Sequence, residues 1–146
     1  MIQLNQRIDP PDRERRLADY YRPYHRRIDR ALRESPRAAI LSVHTFTPLY
    51  EGETRSVEIG VLFDQSRALG ERFAAELSAR GWRTALNEPY SATLGFAFSP
   101  EDHGARHRRP ALELELRQDL ALDQGRRAKL LDDLVATTRK TYGICP

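Results

Sequence analysis

His44, Glu113, Glu115 and Arg117 are the residues of this chain whose types and placement could combine into a reaction. His44 stands where the apolar run 38–43 gives way to the polar stretch His44-Thr45-Phe46-Thr47-Pro48. Open α/β sheets place ligands and catalytic groups at such strand ends. Neutral imidazole is a common metal ligand, and a strand end fixes its direction, although a lone strand-end histidine more often has a structural role. Glu113, Glu115 and Arg117 share one side of the alternating segment Ala111–Arg117, with Leu112, Leu114 and Leu116 on the other. If the acidic side is solvated, the segment is an edge strand with a salt-bridged outer surface, the commoner case. If it faces a cleft, a carboxylate beside a metal-bound water could take its proton as general base. The other histidines add little. His25 falls in a helical pattern, and His103 and His107 have the i,i+4 spacing of a helical metal site. Gly104 and the surrounding Pro and Gly argue against a helix there.

These groups need a scaffold. A chain of 146 residues, 40% hydrophobic and 31% charged, is read as one folded domain, 1–146. It has no membrane-spanning run and no signal-peptide core, so a soluble, cytoplasmic protein is expected. The single cysteine, Cys145, forms no internal disulfide and no CxxC metal pair. Residues 1–37 carry ten arginines against six carboxylates, and 22 of the 24 cations in the chain are arginine. A helix with one solvated, arginine-rich face is the favoured reading over nucleic-acid binding, because acids dilute the field and no aromatic platform is interleaved.

Asp9-Pro10-Pro11-Asp12 signals a helix start, followed by the stripe Leu17, Tyr20, Tyr21, Tyr24, Ile28 and Leu32. Pro23 predicts a kink or break inside it. The run 38–43 suits a strand covered on both faces, and Val57, Ile59, Val61 and Phe63 a second strand. Residues 66–80 read as a helix stopped by Gly81, 82–86 as a third strand, and 87–110 as a long loop. After the strand 111–117, Asp123 caps a last helix with buried stripe Leu130, Leu131, Leu134, Val135 and Thr138. This order predicts an α/β layered fold with at least part of the sheet parallel.

Six short motifs occur in a specific order: Pro23-Tyr24-His25; Ser42-Val43-His44-Thr45-Phe46-Thr47-Pro48; Gly52 with Arg55; Gly60-Val61-Leu62; Asn87-Glu88-Pro89-Tyr90-Ser91; and Glu115-Leu116-Arg117-Gln118-Asp119-Leu120. Together they resemble the N-formylglutamate amidohydrolase family. The resemblance implies a mixed sheet flanked by helices, zinc-carboxypeptidase-like (phosphorylase/hydrolase-like), and hydrolysis of N-formylglutamate, or a related N-acyl amino acid, to formate and the amino acid in histidine degradation. It also implies His44 as a zinc (or other divalent metal) ligand and Glu115 as the catalytic carboxylate. Arg55 would pair with a substrate carboxylate through its planar fork. Asn87 and Tyr90 would line the pocket, with His103 added from the long segment, and Asp119 would have no catalytic role.

The family's other zinc ligands lie in an N-terminal segment that precedes the part resembled here, together with strands of its sheet. Three readings stay open. The chain is part of a full-length hydrolase; or a half completed by another chain or by a second copy of itself; or an inactive homologue serving as an interaction module. The expected partner is a small anionic N-acyl amino acid, with no membrane and no nucleic acid.

Overall fold

The computed structural model describes residues 8–143, so Cys145 lies outside the described residues. Length alone predicts one domain; the chain's contacts form two compact units, Met1–Ala38 and Ala39–Pro146. Among the described residues no helix is long and apolar enough to cross a membrane.

The first unit is helical. Helix α1 (Pro10–Arg16) starts with proline in its first turn, and the carboxylate of Asp9 accepts a hydrogen bond from the Asp12 N–H at 2.8 Å. A π-helical turn, Leu17–Tyr21, joins it to α2 (Arg22–Glu34). The irregularity expected at Pro23 is this turn. Proline has no N–H for the Asp19 carbonyl and its ring crowds it, and the wider turn makes room. The apolar stripe behaves differently from its pattern. Tyr20, Tyr21 and Tyr24 are exposed and only Leu32 is buried, because one helical run has no second element within its unit to pack a full stripe against.

The second unit is a mixed α/β fold. A four-stranded sheet runs in the order β1 (Ile40–Phe46), β6 (Ala111–Arg117), β4 (Ile59–Leu62), β5 (Thr84–Leu86). β1 and β6 are parallel, β4 and β5 are parallel, and β4 is antiparallel to β6. A short hairpin, β2 (Leu49–Tyr50) with β3 (Glu53–Thr54), follows β1. One face of the sheet holds the main core, where Ile59, Val61, Leu112, Leu114 and Leu116 pack with Phe73 and Leu77 of α3 (Arg67–Ala79) and Leu130 of α6 (Gln124–Tyr142). Over the other face Leu62 packs with Ala92 and Ala97. This is the layered, partly parallel fold that the pattern predicts.

Four local expectations change. β6 is central rather than an edge, and all seven of its residues are buried. β1, expected to be covered on both faces, is the edge. Its Val43 is 55% exposed, and among the described residues no strand pairs with its outer side. An apolar run records side-chain type, not the number of neighbouring strands.

The long loop holds helix α4 (Phe98–His107). Pro100 sits in its first turn, where no N–H is required. Gly104 is there because a Cβ would stand 2.9 Å from the Ala111 Cβ and 3.0 Å from the Arg109 carbonyl oxygen. Close approach to β6 therefore outweighs the poor helix propensity of glycine.

A five-residue helix α5 (Gln118–Leu122) leads to α6. The buried side of α6 is Leu130, Thr137 and Thr141 with Leu134 packed beside them, while Leu131 and Val135 are exposed. Each of those two lies about 100° round the helix from its buried neighbour. Asp123 caps α6 as predicted, its carboxylate accepting from the Arg126 N–H at 2.7 Å. Asp123→Ala is expected to lower stability by about 1 kcal/mol, read as a shifted urea midpoint at unchanged slope; no shift would show that the cap is replaced by water without loss.

Candidate active site

The register of the central strands brings the candidate residues together. His44 lies opposite Glu115 and Ser42 opposite Glu113 on the β1 side, while Gly60 lies opposite Glu115 and Leu62 opposite Glu113 on the β4 side. Directly paired residues share a face, so the imidazole and both carboxylates project from the same side of the sheet. The acidic side of β6 is thus buried rather than solvated. Glu113 is 3% exposed and Glu115 6%, beside a His44 side chain that is 58% exposed at the edge. His44 Nε2 stands 3.6 Å from a carboxylate oxygen of Glu113.

Two buried carboxylates side by side resist ionisation. Burial pushes Glu113 above the usual carboxylate range, with His44 pulling the other way. Burial also raises Glu115, the neighbouring negative charge of Glu113 adds to it, and His44 and Arg55 oppose it. Oε2 of Glu115 is buried and has no hydrogen-bond partner among the described residues. An orphaned acceptor of this kind is costly and is kept where a ligand completes it.

The space beside Glu115 depends on Gly60. A Cβ at Gly60 would meet the Glu88 carbonyl oxygen at 1.9 Å and the Glu115 Cβ at 3.3 Å. The segment 87–90 thus roofs this part of the sheet. Asn87, expected in the pocket lining, holds that roof. It adopts left-handed backbone (φ 53). Its side-chain oxygen accepts from the N–H groups of Phe63 (3.1 Å) and Ala92 (3.3 Å), while its amide donates to the Phe63 carbonyl (3.1 Å). Both ends of the side chain are therefore engaged, and Asn87 acts on backbone.

Arg55 sits in a cage of aromatic rings. Its guanidinium carbon is 4.7 Å from the Tyr50 ring centroid and 5.4 Å from those of Phe46 and Tyr90, and one Nη is 3.4 Å from the Tyr90 hydroxyl. The β2–β3 hairpin brings these groups together: the Arg55 N–H donates to the Pro48 carbonyl at 2.9 Å, closing the chain back on itself. Tyr90 stacks on Phe96 (5.3 Å), which steadies the far wall. From below, Arg117 donates to the Arg55 carbonyl at 2.9 Å and is gripped by both oxygens of Asp119 at 2.7 and 3.0 Å. Asp119 therefore orients Arg117.

His103 is placed elsewhere. It is completely buried on α4, with Nδ1 2.9 Å from an Arg106 nitrogen and its ring against that of His107. Its zero exposure closes it to a solute in this structure. The residues given no role by motif reading are Phe46, Tyr50 and Phe96 of the arginine cage and its wall; Glu113, named from the alternation of its strand, proves to be the carboxylate nearest His44 Nε2. Tyr50 lies only five positions from Arg55, so proximity in sequence was the available signal.

The N-formylglutamate amidohydrolase family model matches residues 2–122. A solved gene product from Agrobacterium tumefaciens is similar over 94% of this chain and 56% of its own, at 27% identity and a TM-score of 0.82. N-formylglutamate amidohydrolase from Ralstonia eutropha shares the fold over 92% of this chain and 54% of its own, at 18% identity and a TM-score of 0.63. No curated protein matches the sequence. The chain thus spans little more than half the length of these two solved relatives. With its six motifs in order and most of its length covered by one family model, the chain belongs to the N-formylglutamate amidohydrolase family.

Proposed function

We propose that this chain carries the general base and substrate clamp, with one metal ligand, of a metal-dependent amidohydrolase. Its substrate is N-formylglutamate or a related N-acyl amino acid, and its products are formate and the amino acid. The observation that carries this reading is the direct register pairing of His44 with Glu115, on the face that also receives Arg55.

The chemistry of the site suits zinc or another divalent cation: an imidazole at the rim is a metal ligand, and the orphaned buried oxygen of the Glu115 carboxylate beside it is placed to work on a metal-bound water. His44 would hold the metal. When bound, zinc supplies a water of lowered pKa and polarises an amide oxygen. Glu115 takes the proton from the attacking water and passes it to the leaving nitrogen. Arg55 pairs with the substrate carboxylate through its planar fork; its aromatic cage fixes the plane of the fork, which a lysine would not reproduce. Tyr90 lines the same pocket, Asn87 holds the roof, and His103 takes no part in this reading.

A catalytic zinc normally takes three protein ligands, so the remaining ligands come from outside this set of residues. Another part of a longer protein, a second chain or a second copy would each supply them. Histidine degradation and a cytoplasmic setting belong to the same reading. A second reading, a partial homologue that serves as a subunit or interaction module, is favoured by one observation: no strand among the described residues pairs with the outer side of β1.

The test is metal content together with formate release from N-formyl-L-glutamate. Purified together with the part that supplies the remaining ligands, the protein is expected to carry near-stoichiometric zinc, and folded His44→Ala to lose both metal and activity. A metal-free, inactive assembly under conditions where a full-length relative works would overturn the hydrolase reading and leave the subunit reading.

A further inference from the structure

A cleft of about 370 Å³ opens beside β5, on the opposite edge of the sheet from His44. It is lined by Glu58, Arg80, Trp82, Arg83, Arg126 and Lys129. None of these residues belongs to the set around Glu115 and Arg55. With Gly81 the lining comes to seven residues, four of them cations, and their ion pairs do not balance.

Three arginines converge on one oxygen of the buried Glu58: Arg83 at 3.2 Å, Arg117 at 3.8 Å, and Arg126 in close contact. Asp119 is the second carboxylate of this group, held by Arg117 and 3.6 Å from Arg126. On the other side of Trp82, Arg80 (3.2 Å) and Lys129 (2.5 Å) share the single carboxylate of Asp133. Five cations therefore meet three carboxylates, which leaves two positive charges without a counter-charge in the network. Trp82 stands between the two groups, its Nε1 donating to Asp133 at 2.9 Å and its ring 4.6 Å from the Lys129 ammonium. Nε of Arg80 is buried and has no hydrogen-bond partner among the described residues.

Like charges gathered at the rim of a partly enclosed cleft focus a positive potential into it. Guanidinium forks match tetrahedral oxyanions, and phosphate above all, in a way that isolated ammonium groups do not. We infer that this cleft binds a doubly negative phosphate group, either inorganic phosphate or the head of a small phosphate monoester. Arg83, Arg126, Arg80 and Lys129 are its donors. The carboxylates of Glu58 and Asp133 gather those cations into two groups, one on each side of Trp82. The volume exceeds a bare oxyanion and leaves room for a small organic body beside Trp82.

Trp82 is the sole tryptophan of the chain, so its fluorescence reports on this cleft directly. The experiment titrates the intact protein with inorganic phosphate, and separately with phenyl phosphate, with chloride as the balancing anion at constant ionic strength. A saturable change in fluorescence with phosphate but not with chloride is expected. Removing two charge-assisted donors in Arg83→Gln/Lys129→Gln is expected to weaken phosphate binding by about tenfold or more. Circular dichroism confirms the fold of the variant. Tighter binding of phenyl phosphate marks a monoester as the ligand, and tighter binding of inorganic phosphate marks the free ion. If phosphate does no more than chloride at equal ionic strength, or if the folded double variant binds as the parent does, the inference is overturned. The parent's fluorescence decides the first outcome even should the variant fail to fold.

Discussion

Glu115→Gln is expected to lower formate release by about 10²- to 10⁴-fold, to leave zinc content unchanged, and to leave the melting temperature equal to or above that of the parent. Glutamine keeps the shape of the side chain and loses the ability to accept a proton. The rate loss follows from the register, which sets Glu115 beside His44 on the inner strand β6. The stability side follows from burial. Glu115 is 6% exposed, one of its oxygens has no hydrogen-bond partner among the described residues, and a second carboxylate two residues away raises its affinity for a proton further. Replacing an unpaired buried charge by a neutral amide removes a desolvation penalty. A residue kept for packing would lose rate and stability together, and a residue kept for proton transfer loses rate alone. Formate release with thermal melts separates the two, and an unchanged rate removes Glu115 from the role of base.

Gly60→Ala carries the second large effect, this time on stability. The added methyl would lie 1.9 Å from the Glu88 carbonyl oxygen and 3.3 Å from the Glu115 Cβ. The closer obstacle is backbone, so relief requires moving the segment 87–90, which Asn87 ties to Phe63 by two hydrogen bonds. Overpacking of this kind is expected to cost about 3 kcal/mol, which for a chain of this length lowers the melting temperature by roughly 6–12 °C. Gly70 offers the contrast. A Cβ there meets the Phe63 ring at 2.1 Å; that ring is buried in the main core and moves only with its neighbours, so Gly70→Ala should also lose stability, though less than a clash that must move backbone. Thermal melts of the two variants check both size and order, and a Gly60→Ala protein that melts like the parent would mean that the roof over Glu115 is not fixed.

The alternation of 111–117 made β6 legible as a strand, and its two sides legible as apolar and acidic. Which side met water was not legible, since alternation reports only that the sides differ; both are buried here because α3 and α6 cover one and the segment 88–107 covers the other. The apolar content of 38–43 likewise announced a strand and misplaced it, since neighbours in the sheet come from distant parts of the chain. Helix α4 was hidden by Gly104, a residue selected by its distance to Ala111 and not by local preference. At the site, His44, Arg55 and Glu115 emerged from motif order, and the register then paired the first and last of them. The arginine cage was not legible. Phe46, Tyr50 and Tyr90 meet around one guanidinium only after a hairpin and a distant turn fold over the same end of the sheet.

The lone outer margin of β1 has a consequence of its own. In an extended strand successive peptide groups point alternately to left and right, so every second amide of this strand turns away from β6 and meets no partner strand among the described residues. Those amides are the ones an added strand would pair with, while the adjoining strand, with the two acids, is buried along its whole length. The rim that offers His44 is thus where the sheet can still be extended, and the wall behind it already has a neighbour on each side.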